Sequence, residues 1–473
     1  MNSERLGTIE EKQKQSKTSM KEIRSHCIEL SSGEQFSGTL SISNSSIQLQ
    51  LYGFDEYPHC NCDRPIFLHT QKNEIVSLHA NTSMGNFRHG GPAEKFVVGE
   101  KIESGVAIIG NSKWQSVDRV KRVSFSIPDA DKLLEDPQVI ERIISKENPD
   151  YSDPFVFSIE LSILRISLRY DVTWYGGGYT RHSIKPRFEI EFHDGQELAS
   201  YLEYVLRVAQ FLSYCSGKFM SPADIKISSL SETERDEAMR QNVHPTDFNA
   251  FYCWGTVDEA SSSTTGFAIG YLSVTSEKRK TLFIESLSTW LSQEKNWENA
   301  FRSIMPSLRQ TGILSGDRLM AAFRWFEQIP TTRSKQTLTD KEIARILCSA
   351  RPVISELGLS ENRLEGVLKT IKNESNSERI SRLVNEVATA FGSSVFPLEV
   401  VKHLEAAMGF RNRCAHGHFE PADDDEFKQF HLATAAMEAL CFLLVAKQLP
   451  LPANVNETFR HAPFVYNYRI AAA

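Results

Sequence analysis

The pattern of apolar residues changes along this 473-residue chain, and that change constrains the fold more than any other feature. Between residues 22 and 192, apolar and polar side chains mostly alternate, as they do on strands with one buried face. After about residue 283, apolar residues recur at helical spacing, with glycine and proline between the runs. The sequence therefore predicts an α+β multidomain chain, in which a β-rich N-terminal domain precedes an all-α helical bundle.

The clearest strand signals lie in two places. Residues 36–42 and 47–51 alternate around a Ser-Asn-Ser-Ser connection, which predicts a hairpin with one buried face. Residues 155–174 also alternate, but the phase changes between Ile163 and Leu164. We interpret the phase change as a β-bulge within one long strand.

The end of the long strand and the helix after it carry turn and cap signals. The glycines at 176–178 are expected to reverse the strand, because glycine adopts positive φ without penalty. Asp194 and Glu197 match a capping box for a helix that starts near Leu198, and Gly217 is a natural residue to end it.

The helical part of the chain is divided by glycine and proline. The predicted helices are 287–304, 316–328, 339–357, 360–373, 376–391, 397–412 and 425–448. The predicted organisation is a flexible tail at 1–21, a β-rich sensing or regulatory domain at 22–282, a helical connector at 283–315 and a helical domain at 316–473.

Bulk properties restrict the class of protein. The formal net charge of −7 argues against nonspecific coating of nucleic acid, although it permits a local basic site. The first twenty residues lack the apolar core of a signal peptide. The apolar segment 432–449 contains Glu438 and Lys447, which favours a buried helix over a membrane span. Eight scattered cysteines do not form a disulfide framework, so we expect a cytoplasmic protein without a membrane partner.

Arg411 and His416, five positions apart after an apolar helical run, are the strongest functional candidates. Cleavage of RNA by its own 2′-hydroxyl requires a group that titrates near neutral pH and a fixed cation near the phosphoryl oxygens. The same spacing occurs at Arg64/His69 and Arg413/His418. The Arg64/His69 pair spans a proline and an apolar strand-like triplet, so we regard it as chance.

The motif resembles the signature of HEPN ribonuclease domains, in which Arg-Asn is followed by three variable residues and His. Arg411, Asn412 and His416 occupy these positions. The segment 319–327 is similar to the first helix of these domains and places Glu327 where an acidic or polar residue often approaches the active site. Residues 36–40 and 47–51 look like the β-rich domain that precedes HEPN in ApeA-type antiphage proteins.

The resemblance implies an abortive-infection effector with a HEPN helical bundle, metal-independent endoribonuclease activity and no cofactor. Two motifs would face each other in a homodimer or higher homo-oligomer, with RNA as substrate and a phage-derived trigger. His416 would transfer protons or orient the 2′-hydroxyl, Arg411 would stabilise the phosphorane, and Asn412 would orient the site. The choice between Arg411 and Arg413 is open, although Asn412 favours Arg411. His418 is a possible substrate contact.

Other interpretations remain open at this point. Arg411 and His416 are also suited to capping a helix end, and Glu327 to pairing with a nearby base. A HEPN module that only binds RNA or protein, or a purely structural adaptor, would carry the same motif. His59, Cys60 and Cys62 are the best zinc candidates, but Cys-x-Cys is tighter than the usual spacing of zinc ligands.

Overall fold

The computed structural model describes residues 21–29, 35–43, 45–54, 58, 61–70, 72–90, 96–144, 155–175, 181–253, 272–292, 295–310, 314–358, 366, 372–417 and 421–472. The chain divides into two compact units. One contains Met1–Ser126, Phe157–Val205 and Pro222–Asp258, and the other contains Ile127–Val156, Leu206–Ser221 and Glu259–Ala473. The linear domain bounds stay a prediction. Of the predicted tail, residues 1–20 lie outside the described residues.

The β-rich unit is built on a sheet in which twelve strands are described. They are β1 Lys21–Glu29, β2 Gln35–Ile42, β3 Ile47–Phe54, β4 Ile66–His69, β5 Ile75–Gly90, β6 Phe96–Gly110, β7 Val120–Ser126, β8 Phe155–Glu160, β9 Leu164–Tyr175, β10 Arg181–Gln196, β11 Ala223–Ser228 and β12 Phe248–Tyr252. Their order is β3-β2-β1-β4-β5-β6-β12-β11-β7-β10-β9-β8.

The first six strands close on themselves, because β3 also pairs with β6. Side chains alternate across each strand, so one face of all six strands contributes to one apolar core. That core contains Ile28, Leu40, Ile42, Ile47, Leu49, Leu51, Ile66, Leu68, Val76, Leu78, Ile102, Ala107 and Ile109. The predicted first hairpin is confirmed, since β2 and β3 pair antiparallel with Ile42 opposite Ile47.

The predicted long bulged strand is wrong. The phase change marks the break between two strands, β8 and β9, and the Leu161 N–H donates to the Leu164 carbonyl across the break at 2.9 Å. A tight turn and a bulge both shift alternation by one residue, so the pattern alone did not separate them. β9 and β10 then pair antiparallel from Tyr175 opposite Arg181. The glycines at 176–178 lie outside the described residues.

The capping box predicted from Asp194 and Glu197 is also wrong. Asp194 belongs to β10, which continues to Gln196, and helix α3 begins at Leu198. The carbonyl of Glu197 accepts hydrogen bonds from the first turn of α3. The predicted end of this helix is confirmed, because Gly217 adopts φ +68° directly after Ser216. A Cβ at Gly217 would lie 2.3 Å from the Cβ of Pro463, so the position requires glycine for space as well.

The described helices are α1 Asp131–Leu134, α2 Pro137–Ile144, α3 Leu198–Ser216, α4 Glu232–Arg240, α5 Glu277–Leu291, α6 Lys295–Arg302, α7 Ile304–Arg309, α8 Gly316–Gln328, α9 Asp340–Glu356, α10 Asn376–Phe391, α11 Val400–Ala415, α12 Asp424–Ala446, α13 Val455–Phe459 and α14 Pro463–Ala472. The bounds predicted for α8 and α10 are confirmed. The single helix predicted at 287–304 is wrong, since α5, α6 and α7 cover that part of the chain. The helix predicted at 360–373 lies mostly outside the described residues.

Helix α12 forms the centre of the helical region. It contacts α8, α10, α11 and α14. By length and composition it is apolar enough to span a membrane, but 83% of its most apolar window is buried inside the protein. This burial agrees with the buried helix predicted for 432–449. The predicted cytoplasmic location stays a prediction.

A buried ion pair fixes α8 against α12. The Arg318 guanidinium donates from Nε and Nη2 to the two Glu438 oxygens at 2.9 and 2.7 Å, and both residues are buried. A bidentate pair of this kind specifies one geometry, because a shift along either helix breaks both bonds. It also sets the position of the C-terminal half of α8, which carries Glu327.

Candidate functional site

The Arg-Asn-x-x-x-His motif lies at the C-terminal end of α11. The helix extends three residues beyond its predicted end at 412, so Arg411 and Asn412 lie inside its last turns. His416 occupies the C-cap, and its backbone N–H points to the carbonyls of Asn412 and Arg413 at 3.3 and 3.2 Å. Gly417 follows with φ +73°, the left-handed conformation that commonly ends a helix.

The helical geometry determines which motif side chains face the same way. Asn412 and His416 are four positions apart and share one stripe of the helix surface, whereas Arg411 lies about 100° around the axis from Asn412. Asn412 and His416 are exposed, and their side chains form no hydrogen bond or ion pair within the described part of the chain. Arg411 and His416, five positions apart, lie about 140° apart around the helix axis, so one copy of the motif presents the arginine and the histidine in different directions.

Arg411 contacts two residues of α8. Its Nη2 lies 3.2 Å from Glu327 Oε1, and its guanidinium lies 6.0 Å from the centre of the Phe323 ring. The Arg411 side chain is 38% exposed and that of Glu327 is 56% exposed. The structure thus brings Glu327, predicted from the sequence of α8, directly to Arg411.

Arg413 has a different partner. Its Nη2 lies 2.7 Å from Glu426 Oε1 in the first turn of α12. Glu426 also accepts the backbone N–H of Ala422 at 2.6 Å, and these two interactions, the backbone one first, lower the pKa of its carboxyl. Next to Arg413 in the sequence, burial raises the pKa of the Cys414 thiol, which therefore stays protonated near neutral pH.

Arg379 of α10 belongs to the same surface and was missed by sequence reasoning. Its guanidinium lies 5.2 Å from the centre of the Phe326 ring, next to Glu327 in α8. Burial lowers the pKa of Arg379, and the carboxylates of Glu374 and Glu327 oppose that effect. The sequence signal at this position is the capping box of Ser375 and Glu378, which fixes the start of α10 but not the helix that it faces.

The remaining candidates are placed as follows. His418, His59 and Cys60 lie outside the described residues, while Cys62 is described and partly exposed. Among the described residues, no group of three or more His, Cys, Asp or Glu side chains is arranged to hold a metal ion. The zinc hypothesis therefore stays untested.

Comparison with known proteins supplies one result. Residues 29–268 match the family model described as ApeA N-terminal domain 1. No curated protein and no solved structure matches the chain significantly. The matched residues end before the motif of α11, so the match concerns the β-rich part of the chain. Since it covers just over half of the 473 residues, the chain belongs to the ApeA-type family of antiphage defence proteins.

Proposed function

We propose that this protein is an antiphage effector that cleaves RNA without a metal ion, at a HEPN site formed by two copies of the α11 motif. The observation that carries the proposal is the exposed end of α11, where Arg411 is held beside Glu327 while Asn412 and His416 face solvent. An arginine oriented by a carboxylate, with an unengaged histidine close by in the chain, provides electrostatic stabilisation and proton transfer.

The contacts favour Arg411 over Arg413 as the phosphate ligand. Arg413 forms the shorter pair, and its partner Glu426 is held by a backbone N–H and is only 24% exposed. Glu327 is the more exposed carboxylate, and its distance to Arg411 is longer. Exposed ion pairs contribute little stability, so a phosphate can replace Glu327 at small cost.

The chemistry fits two copies of the motif better than one. The 2′-oxygen loses its proton as it attacks the adjacent phosphorus, and the departing 5′-oxygen gains a proton. The products are a 2′,3′-cyclic phosphate and a 5′-hydroxyl. One His416 accepts the first proton and the His416 of a second copy donates the other, while the two Arg411 side chains stabilise the charge on the phosphorane.

Membership of a defence family implies that the activity is controlled, because an unregulated nuclease would damage its own host. In this proposal the β-rich region keeps the two motifs apart or blocks RNA access until a phage component appears. Cleavage of host or phage RNA would then stop phage production.

The test is RNA cleavage in phage-infected cells and with purified protein in EDTA. Wild type should cut RNA and leave 2′,3′-cyclic phosphate ends, whereas His416→Ala and Arg411→Ala should each lower cleavage by at least about 100-fold. Arg345→Ala, at an exposed position of α9, is the matched control and should cleave like wild type.

Three outcomes would contradict the proposal. Equal cleavage by wild type and His416→Ala would remove the active-site assignment. Loss of cleavage in EDTA, with recovery on adding a divalent metal, would replace it by a metal-dependent activity. RNA binding without cleavage in infected cells would favour the HEPN module that only binds.

A further inference from the structure

Two arginines from different helices stand on one face of α8. Phe323, Phe326 and Glu327 are spaced i, i+3 and i+4, so they share that face, with about 5–6 Å between the Cβ atoms of neighbouring positions. Arg411 of α11 lies against Phe323, and Arg379 of α10 lies against Phe326. The centres of the Phe323 and Phe326 rings lie 6.4 Å apart, so the two guanidinium groups lie against adjacent rings of α8.

Both guanidinium groups are held by an aromatic ring and retain binding capacity. Their Nε atoms are buried and have no hydrogen-bond partner among the described residues, so the capacity to bind a ligand lies on the terminal nitrogens. The bonds of their terminal nitrogens are modest, from Arg379 to Asn376 Oδ1 at 3.1 Å and from Arg411 to Glu327 at 3.2 Å. A guanidinium stacked on a ring presents its nitrogen edge to a ligand.

Other arginines of this region differ in this respect. In Arg382, one turn along α10, all three guanidinium nitrogens donate hydrogen bonds. It binds the two Glu374 oxygens at 2.9 and 2.6 Å and also donates to the carbonyls of Thr331 and Arg333. Arg413 is engaged by Glu426 at 2.7 Å. Arg382 and Arg413 serve the fold, whereas Arg379 and Arg411 hold their planar groups in place with weaker polar bonds.

The charge balance at this face favours an anion. Glu327 and Glu374 supply two negative charges beside the three positive charges of Arg379, Arg382 and Arg411. Arg382 pairs with Glu374, and Glu327 is more than half exposed. Arg379 is partly buried, so its charge loses hydration that Asn376, a neutral side chain, does not replace. A phosphate near Arg379 would offset that loss through charge-assisted hydrogen bonds.

We infer that Arg379 binds a second backbone phosphate of the single-stranded RNA whose scissile phosphate lies at Arg411. This subsite rests on the proposed function, and it assigns Arg379 to substrate binding rather than to proton transfer. Its ligand is the phosphodiester backbone, so the contact is independent of base sequence. Arg379 should therefore affect the affinity for RNA more than the rate of the chemical step.

The test measures binding of a fluorescein-labelled single-stranded RNA by full-length His416→Ala protein, over a range of salt concentrations. Adding Arg379→Ala should weaken binding several-fold and reduce the slope of log K against log salt by about 0.7, the value for one phosphate contact on a single strand. Arg379→Lys keeps the charge and should retain the slope, although it loses the planar stacking. Arg345→Ala is the control that should change neither quantity.

Each outcome decides the inference. Equal affinity and slope for Arg379→Ala and Arg345→Ala would overturn it while leaving cleavage by wild type, and hence the proposed function, intact. Absence of RNA binding by the parent protein would overturn both. If Arg379→Ala fails to fold, Arg379→Gln keeps the side-chain stem against Phe326 and should show the same reduction in slope. A loss of affinity with an unchanged slope, not rescued by lysine, would show a structural role only.

Discussion

The two regions of the molecule handle buried charge in opposite ways. In the β-rich unit, charged side chains cover one face of β7, β9 and β10 and share partners. Arg122 pairs with Glu189 and Asp247, Glu189 pairs also with Arg169, and Arg165 bridges Glu191 and Glu232. In the helical region, the buried Arg318–Glu438 pair lies within a mainly apolar core around α12.

The difference follows from the geometry of the two kinds of surface. Strands place every second side chain on the same face, so charges on neighbouring strands meet in rows and each finds several partners. A helix that is buried on nearly all sides has mostly apolar neighbours. A charged side chain on such a helix therefore finds few polar partners. Charges that share several carboxylate or guanidinium partners should therefore tolerate the loss of one member better than the bidentate pair between the buried Arg318 and Glu438.

The largest effect is expected at Glu438. Glu438→Ala leaves the Arg318 guanidinium buried without its carboxylate, which should lower the free energy of unfolding by about 3–5 kcal/mol. Urea denaturation followed by far-UV circular dichroism measures the change. The double variant Arg318→Met/Glu438→Leu removes both charges and should recover most of the stability. Equal destabilisation by the single and double variants would show that packing, and not charge, dominates there.

A smaller effect is expected at Arg122, although it is as deeply buried as Arg318. In Arg122→Met, Glu189 keeps Arg169 and Asp247 keeps Arg235. The free energy of unfolding should fall by about 1.5–3 kcal/mol, the range for a hydrogen bond to a charged group, because neither carboxylate loses its last partner. The same denaturation measurement tests it. A loss as large as that of Glu438→Ala would contradict the distinction between the shared pairs of the β-rich unit and the Arg318–Glu438 pair.

The spacing of apolar residues was sufficient to predict the structural features that depend on local sequence. It predicted the β2–β3 hairpin and the bounds of α8 and α10, because alternation, helical spacing and the glycine and proline breaks are read within a few residues. It placed Glu327 near the motif only through a family resemblance. Arg379 could not be found in this way, since its contact with Phe326 joins helices far apart in the sequence. The turn between β8 and β9 was missed because a bulge gives the same local pattern.

An ion pair at the rim of the helical region should give a pH-dependent effect. Hydrogen bonds from Arg382 lower the pKa of Glu374, so the ionised carboxylate stabilises the fold above about pH 4.3, the pKa of an unfolded glutamate. This contribution is lost as the pH falls through the lowered folded-state pKa. Glu374→Gln should therefore cost about 1–2 kcal/mol at pH 7 and progressively less below about pH 4.

Urea denaturation at several pH values measures this difference between wild type and Glu374→Gln. Glu457→Gln, at an exposed position of α13, is the matched control and should behave like wild type throughout. A difference that grows on acidification would have the wrong sign and would exclude the pair as its source.

The smallest effect is expected at α4, whose described residues include none that is buried. Lys121 of β7 pairs with Glu234 at 2.5 Å, and the pair lowers the pKa of Glu234, but both side chains are more than a third exposed. Solvent screens such a pair, so Lys121→Ala should change the free energy of unfolding by no more than about 0.5 kcal/mol. Amide hydrogen exchange in α4 should nevertheless become faster at low salt, because the ion pair from Lys121 of β7 helps to hold Glu234 in the first turn of α4. The acceleration should disappear near 1 M salt, where wild type and variant are equally screened. Unchanged exchange at low salt would mean that contacts other than the Lys121–Glu234 pair hold α4, such as the Arg235–Asp247 pair.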